Sequence, residues 1–167
     1  MISLRLAVPG DALAVARIHV RAWQTAYRGL LPDSYLDSLR AEDRAARYTF
    51  DDTAPGKPAT LLAVEGETVC GFATTGPSRS LEGAGELMAL HVDPEHWRRG
   101  IGRQLIAAAR KRLVEQGYET AMLMLLEGNE RADGFYRDDL WAPDGHKETG
   151  EIWGAVVNEL RYRRPLK

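Results

Sequence analysis

From Glu86 to Leu105 the chain reads Glu-Leu-Met-Ala-Leu-His-Val-Asp-Pro-Glu-His-Trp-Arg-Arg-Gly-Ile-Gly-Arg-Gln-Leu, and the rest of the molecule has to accommodate this stretch. Leu87 to Val92 is apolar except for His91, which predicts a buried strand. Asp93-Pro94 ends that strand, because proline cannot donate to a sheet ladder. Trp97, Arg98 and Arg99 lead into Gly100-Ile101-Gly102. Ile101, Leu105, Ala109 and Leu113 then recur at every fourth position, with Arg103, Arg110, Lys111 and Glu115 between them, which predicts an amphipathic helix.

A strand, a basic glycine turn and a helix together make an anion site. The first N–H groups of a helix lack intrahelical acceptors, and the helix dipole places partial positive charge there. Glycine lets a phosphate approach the backbone, and Arg98 and Arg99 add charge at the mouth, so a pyrophosphate is the natural guest. A dinucleotide fingerprint would need a third glycine where Leu105 stands. A P-loop would need Gly-Lys-Ser/Thr, but Arg103 follows Gly102.

The stretch resembles motif A of the GNAT family of N-acetyltransferases. The family pattern Gln/Arg-x-x-Gly-x-Gly/Ala falls on Trp97-Arg98-Arg99-Gly100-Ile101-Gly102, with Trp97 replacing the usual glutamine or arginine. Asn129-Glu-Arg-Ala-Asp-Gly-Phe135-Tyr136 resembles the family's Asn-x-x-Ala-x-x-Phe-Tyr segment. Where the family often has Leu-Gly-Phe after that helix, this chain has Asp139-Leu140-Trp141. The resemblance spans residues 60 to 163 and extends to an opening strand and two helices.

The resemblance implies acetyl transfer from acetyl-CoA to an amine by direct attack, with no covalent enzyme intermediate. Arg98 to Arg103 would hold the pyrophosphate. The backbone of Leu90, His91 and Val92 would meet the pantetheine arm, Leu90 and Val92 pairing with it like an added strand. An N–H near Leu90 would polarise the thioester carbonyl. Asn129 would bond the same arm or cap the last helix. Glu86, opening the central strand, would be the general base, or a strand-end carboxylate in solvent. His91 is the rival base, or a hydrogen-bonded sheet histidine. Tyr136 would protonate the departing thiolate, or pack beside Phe135, whose own ring is expected in the core.

Elsewhere the chain is ordinary. Its 167 residues suit a single domain, residues 1–167, with no repeats or linker. Net charge of -2 gives no reason to expect nucleic-acid binding. Four histidines and one cysteine (Cys70) suggest no metal cluster and no disulfide, as in a reducing, cytoplasmic setting. No apolar run is long enough to predict a membrane span or signal peptide. The acceptor is expected to be a small-molecule amine or a peptide amino group. Net acidity leans weakly toward cationic acceptors, and assembly as a homodimer is left open. A non-catalytic acyl-CoA-binding or sensor domain is the alternative.

Ser3 to Val8 reads as a strand and Asp11 as the cap of a helix whose stripe is Leu13, Ala16, Val20, Trp23 and Tyr27. That stripe is core, unless its far end, Trp23 and Tyr27, lines an acceptor pocket as the resemblance implies. Residues 33 to 50 read as one charged helix whose arginines form a solvated face. Strands are predicted at Ala59 to Val64, Thr68 to Thr75, Thr120 to Leu126, 146 to 149 and 155 to 163, with a turn at Trp141 to Gly145. The order predicts an α+β (mixed α/β) fold with a mostly antiparallel sheet and parallel central strands around a crossover helix.

Overall fold

The computed structural model describes residues 1–51, 54, 56–152 and 154–166. Within them seven strands form one sheet: β1 Ile2–Leu6, β2 Ala59–Glu65, β3 Thr68–Pro77, β4 Gly85–Val92, β5 Thr120–Leu126, β6 Ala142–Ile152 and β7 Ala155–Pro165. The spatial order is β1-β2-β3-β4-β5-β7-β6. Adjacent strands run antiparallel except β4 and β5. Those two are joined by helix α4, Ile101–Glu115, as a parallel crossover requires. The expected mixed sheet is the one the chain forms.

The sheet is covered on both faces. On one, Leu105, Ile106, Ala109 and Leu113 of α4 pack on Cys70, Ala73, Leu87, Ala121 and Leu123. Each fully buried leucine there contributes roughly 2 kcal/mol. On the other, Val15 and Ile18 of α1, Ala12–Ala26, pack on Leu62, Val64 and Phe72. Gly117, at φ 94°, closes α4 by letting the Tyr118 N–H reach the Leu113 carbonyl.

Three expectations need correction. Residues 33 to 50 are not one helix but two short ones, α2 Asp33–Ser38 and α3 Ala41–Ala45. Ser38 bonds the Tyr35 carbonyl and Gln24 takes the Leu36 carbonyl, so these acceptors are engaged by side chains, and Leu39 and Arg40 turn extended. Asp11 makes no side-chain cap on α1; its carboxylate holds the Arg5 guanidinium and the Val8 amide. The turn at Trp141 to Gly145 is a bulge inside β6: Pro143 pairs with Tyr162 and Lys147 with Leu160. As the sheet edge, β6 tolerates both the proline and the polar sequence that hid it.

The decisive irregularity lies at β4. Thr74 pairs with Ala89 and Thr75 with Leu87, so Met88 is an extra, bulged residue. β4 then pairs with β5 only at Gly85–Ala121 and Glu86–Met122. Beyond these positions the two central strands part and leave a gap through the sheet. Helix α5, Glu130–Asp138, follows β5 beside that gap.

Candidate active site

The gap widens into a cleft of about 650 Å³. The Asp93 N–H donates to the Cys70 carbonyl of β3 at 2.8 Å. Peptide groups alternate sides along an antiparallel strand, so those of Asp93 and His91 face β3 while those of Leu90 and Val92 face the gap. The Val92 carbonyl accepts the Trp97 indole N–H at 2.8 Å. The other gap-facing peptide groups have no β5 ladder to join.

At one mouth stands the start of α4. Gly100 precedes it at φ 79°, a left-handed conformation that an L side chain adopts at a cost of about 1–2 kcal/mol. Arg98 accepts such a conformation without being glycine, at φ 64°. The N–H groups of Ile101, Gly102 and Arg103 lie in the first helical turn and have no intrahelical acceptor. Gly102 serves a different purpose from Gly100. A Cβ there would lie 3.2 Å from the Phe135 ring, so its absence lets α5 close on α4.

The Arg131 guanidinium of α5 lies 3.4 Å from the centre of the Trp97 ring, a cation–π contact beside Arg98. Burial, then the positive charge of Arg98, lowers the Arg131 pKa. Asn129 caps α5 by accepting the Ala132 N–H at 3.2 Å, and it also lines the cleft. Tyr136 lines it two turns on, with its ring edge-on to Phe135 and Trp141.

The other mouth belongs to α1, with His91 of β4 and Glu159 of β7 beside it. Trp23 donates its indole N–H to His91 Nε2 at 3.3 Å, stacks on His19 and meets Tyr27 edge-on. Glu159 of β7, opposite Leu126 in the register, lines the same side.

Residues 18–140 match the model of the acetyltransferase (GNAT) family. The chain belongs to this family. It is 31% identical over 166 residues to a Bacillus subtilis protein named "Uncharacterized N-acetyltransferase YuaI", covering 96% of this chain and 91% of that one. In structure it resembles an N-acetyltransferase of Staphylococcus aureus, at TM-score 0.78, 20% identity and coverage of 100% and 99% of the two chains. It also resembles the PaiA N-acetyltransferase of Thermoplasma acidophilum in complex with coenzyme A, at TM-score 0.72, 18% identity and 99% of each chain. Like the family as a whole, the chain is an acyltransferase.

Not every residue on which the GNAT resemblance rested reaches the cleft. Leu90, His91, Val92, Arg98, Gly100, Ile101, Gly102, Arg103, Asn129, Tyr136, Trp23 and Tyr27 all line it. Arg99 turns away and pairs with Glu65 at 2.6 Å. Glu86 is 2% exposed and lies outside the cleft wall. Arg79 holds both of its oxygens, Nη2 at 2.8 Å from one and the backbone N–H at 3.1 Å from the other. Phe135, expected in the core, rests half-buried on Gly102 at the cleft wall.

The environment sets the protonation states. Burial, with Arg44 adding to it, depresses the His91 imidazole to about 4. Its Nε2 accepts from Trp23, so the ring is neutral with its proton on Nδ1. Burial pushes the Tyr27 phenol up to about 12, with the Glu159 charge adding, and burial also raises the Tyr136 phenol. The Glu159 carboxyl is raised, first by partial burial and then by Glu148. Among the described residues lining the cleft, Glu159 is the one carboxylate. Sequence reasoning missed Arg131, Arg44 and Glu159. The first lies within the Asn129–Tyr136 segment itself, and the last is brought in only by the β5–β7 register.

Proposed function

We propose that this acyltransferase moves the acetyl group of acetyl-CoA to a primary amine by direct attack in a ternary complex. The parting of β4 from β5 carries this reading. It leaves a slot with unused peptide groups on one wall, helix N–H groups at one mouth and an aromatic chamber at the other.

The amides of Ile101 to Arg103, with Arg98, Arg103 and Arg131, suit a pyrophosphate. Leu90 and Val92 offer peptide groups to the pantetheine arm, and the Leu90 N–H suits the thioester oxygen, where negative charge grows during attack. Asn129 uses its Oδ1 in the helix cap, which leaves Nδ2 to donate to the same arm. The acceptor enters past Trp23 and Tyr27. Its nitrogen forms the new C–N bond as the C–S bond breaks, the thiolate takes a proton from Tyr136, and the acylated nitrogen gives up its surplus proton to restore the phenol. The raised phenol keeps that proton in place until the thiolate appears, in the same apolar surroundings.

An ammonium acceptor must first lose a proton. Both Glu86 oxygens are engaged by Arg79, so we read Glu86 as the anchor of that arginine, and Glu159 as the group that takes the proton, directly or through water.

Two measurements test the reading. Acetyl-CoA should raise the melting temperature, and an amine panel should release coenzyme A. A pure acyl-CoA-binding module would give the shift with no release. Tyr136→Phe keeps the ring and should bind acetyl-CoA normally while losing most turnover. A wild-type rate in a chemistry-limited assay would reduce Tyr136 to packing.

A further inference from the structure

A second cavity, of about 240 Å³, lies between α1 and the α2–α3 segment. His19, Trp23 and Arg44 line both it and the cleft, so the two spaces share a wall. The second cavity is also lined by Arg40, Arg47 and Asp43, three arginines in all against one carboxylate. Arg40 is 3.8 Å from Glu42. Arg44 and Arg47 have no carboxylate within ion-pair distance among the described residues. The Arg44 Nε donates to the Tyr48 hydroxyl at 3.2 Å, and its two terminal nitrogens have no such partner. Its guanidinium thus rests on Tyr48, by that hydrogen bond and at 5.4 Å from the ring centre, and its terminal nitrogens are left to donate elsewhere.

The charge of this corner is felt by its neighbours. The His19 imidazole, 6% exposed and with Nδ1 unpartnered, falls to about 2 through burial, then His91, Arg44 and Arg47. The local field is positive, opposite in sign to the net charge of the chain. Elsewhere on the cleft wall Glu159 stands beyond Tyr27, with Arg79 near it.

We propose that the acceptor is a small primary amine that carries a carboxylate, with the carboxylate held by Arg44 and Arg47 and the amine pointing across Trp23 toward Glu159 and the gap. This rests on the transferase reading above and names its substrate class. Arg44 is half-buried in the wall shared by the two cavities, Arg47 stands exposed at the rim, and neither has an acidic partner among the described residues, so an anion entering here meets two guanidinium groups with donors to spare. The cavity is smaller than those that hold drug-sized ligands, which fits an amino-acid-sized molecule and not a polypeptide segment.

The test uses matched amines with saturating acetyl-CoA and coenzyme A release as the readout: 4-aminobutyrate against butylamine and 1,4-diaminobutane, and L-leucine against 3-methylbutylamine. The carboxylate member of each set should have a kcat/KM higher by about tenfold or more, the scale of one charge-assisted hydrogen bond. Arg44→Gln should erase that preference through KM, and Arg44→Lys should restore part of it. A preference for the neutral amine or the diamine, or an Arg44→Gln variant that keeps the preference, overturns the inference while leaving acetyl transfer intact. If no amine releases coenzyme A, the transferase reading is what fails. The carboxylate site is then judged by whether 4-aminobutyrate raises the melting temperature of the wild type and not of Arg44→Gln; a shift absent from both overturns it.

Discussion

Trp97 hands its indole N–H to the Val92 carbonyl, tying the basic turn to the end of β4. The tryptophan thus occupies the position usual for a polar residue without loss of order, and its exposed face carries Arg131. Trp97→Phe should remove the hydrogen bond, worth about 1 kcal/mol, and weaken the platform under Arg131. Calorimetry should show acetyl-CoA affinity falling about five- to tenfold, with the fold retained. An unchanged affinity would mean that the turn is held by its backbone alone.

The two glycines of the turn should fail for different reasons. Gly100→Ala forces a Cβ into a left-handed conformation and should cost about 1–2 kcal/mol wherever Phe135 stands. Gly102→Ala instead presses on the Phe135 ring. Its cost, about 1 kcal/mol, should largely vanish when combined with Phe135→Leu. Denaturant melts of the two glycine variants, of Phe135→Leu and of the two double variants separate the cases, and equal rescue of both glycine variants would contradict the assignment.

Glu159 and Glu86 are told apart by pH. A base whose carboxyl is raised by burial is active only when deprotonated, so the rate should fall as pH drops through a value above the usual carboxylate range. Glu159→Gln should abolish that acid limb and lower turnover by roughly 10²-fold. Glu86→Gln should lower turnover less than tenfold and act through a loosened Arg79. The reverse ranking would return the base to Glu86.

Leu140 falls on the glycine of the Leu-Gly-Phe pattern with which Asp139-Leu140-Trp141 was compared, and its backbone is strained: φ is 72° in a residue 71% exposed. The backbone still closes α5, with the Leu140 N–H on the Arg137 carbonyl and the Trp141 N–H on that of Tyr136. Leu140→Gly should therefore stabilise the protein by about 1 kcal/mol. Thermal melts showing a loss instead would reveal a contact that its exposure does not suggest.

Much of this was legible in the residues. The apolar strand, the glycine turn and the periodic helix are local signals, and each folded as read. The break at Leu39 was hidden because Ser38 and Gln24 bond the Tyr35 and Leu36 carbonyls, one of them from another helix. β6 was underread because an edge strand need not alternate apolar and polar residues. Glu86 was named as the base on the family resemblance and its place between apolar strand residues; the arginine that arrives from a loop to hold it is not visible in the sequence. Arg44 was read as part of a solvated face and Glu159 only as part of the closing strand, since only strand register and the packing of α3 on α1 carry them to the cleft and its second cavity.

The bulge at Met88 has a consequence for inheritance. Beyond it, the Leu90 and Val92 groups that face the gap are amides and carbonyls, which every residue but proline possesses. A ligand read by them is recognised through atoms that almost no codon change can delete. The side chains of Leu90 and Val92 are then free to drift, and so are those at the acceptor mouth, while the donor half of the reaction stays where it is.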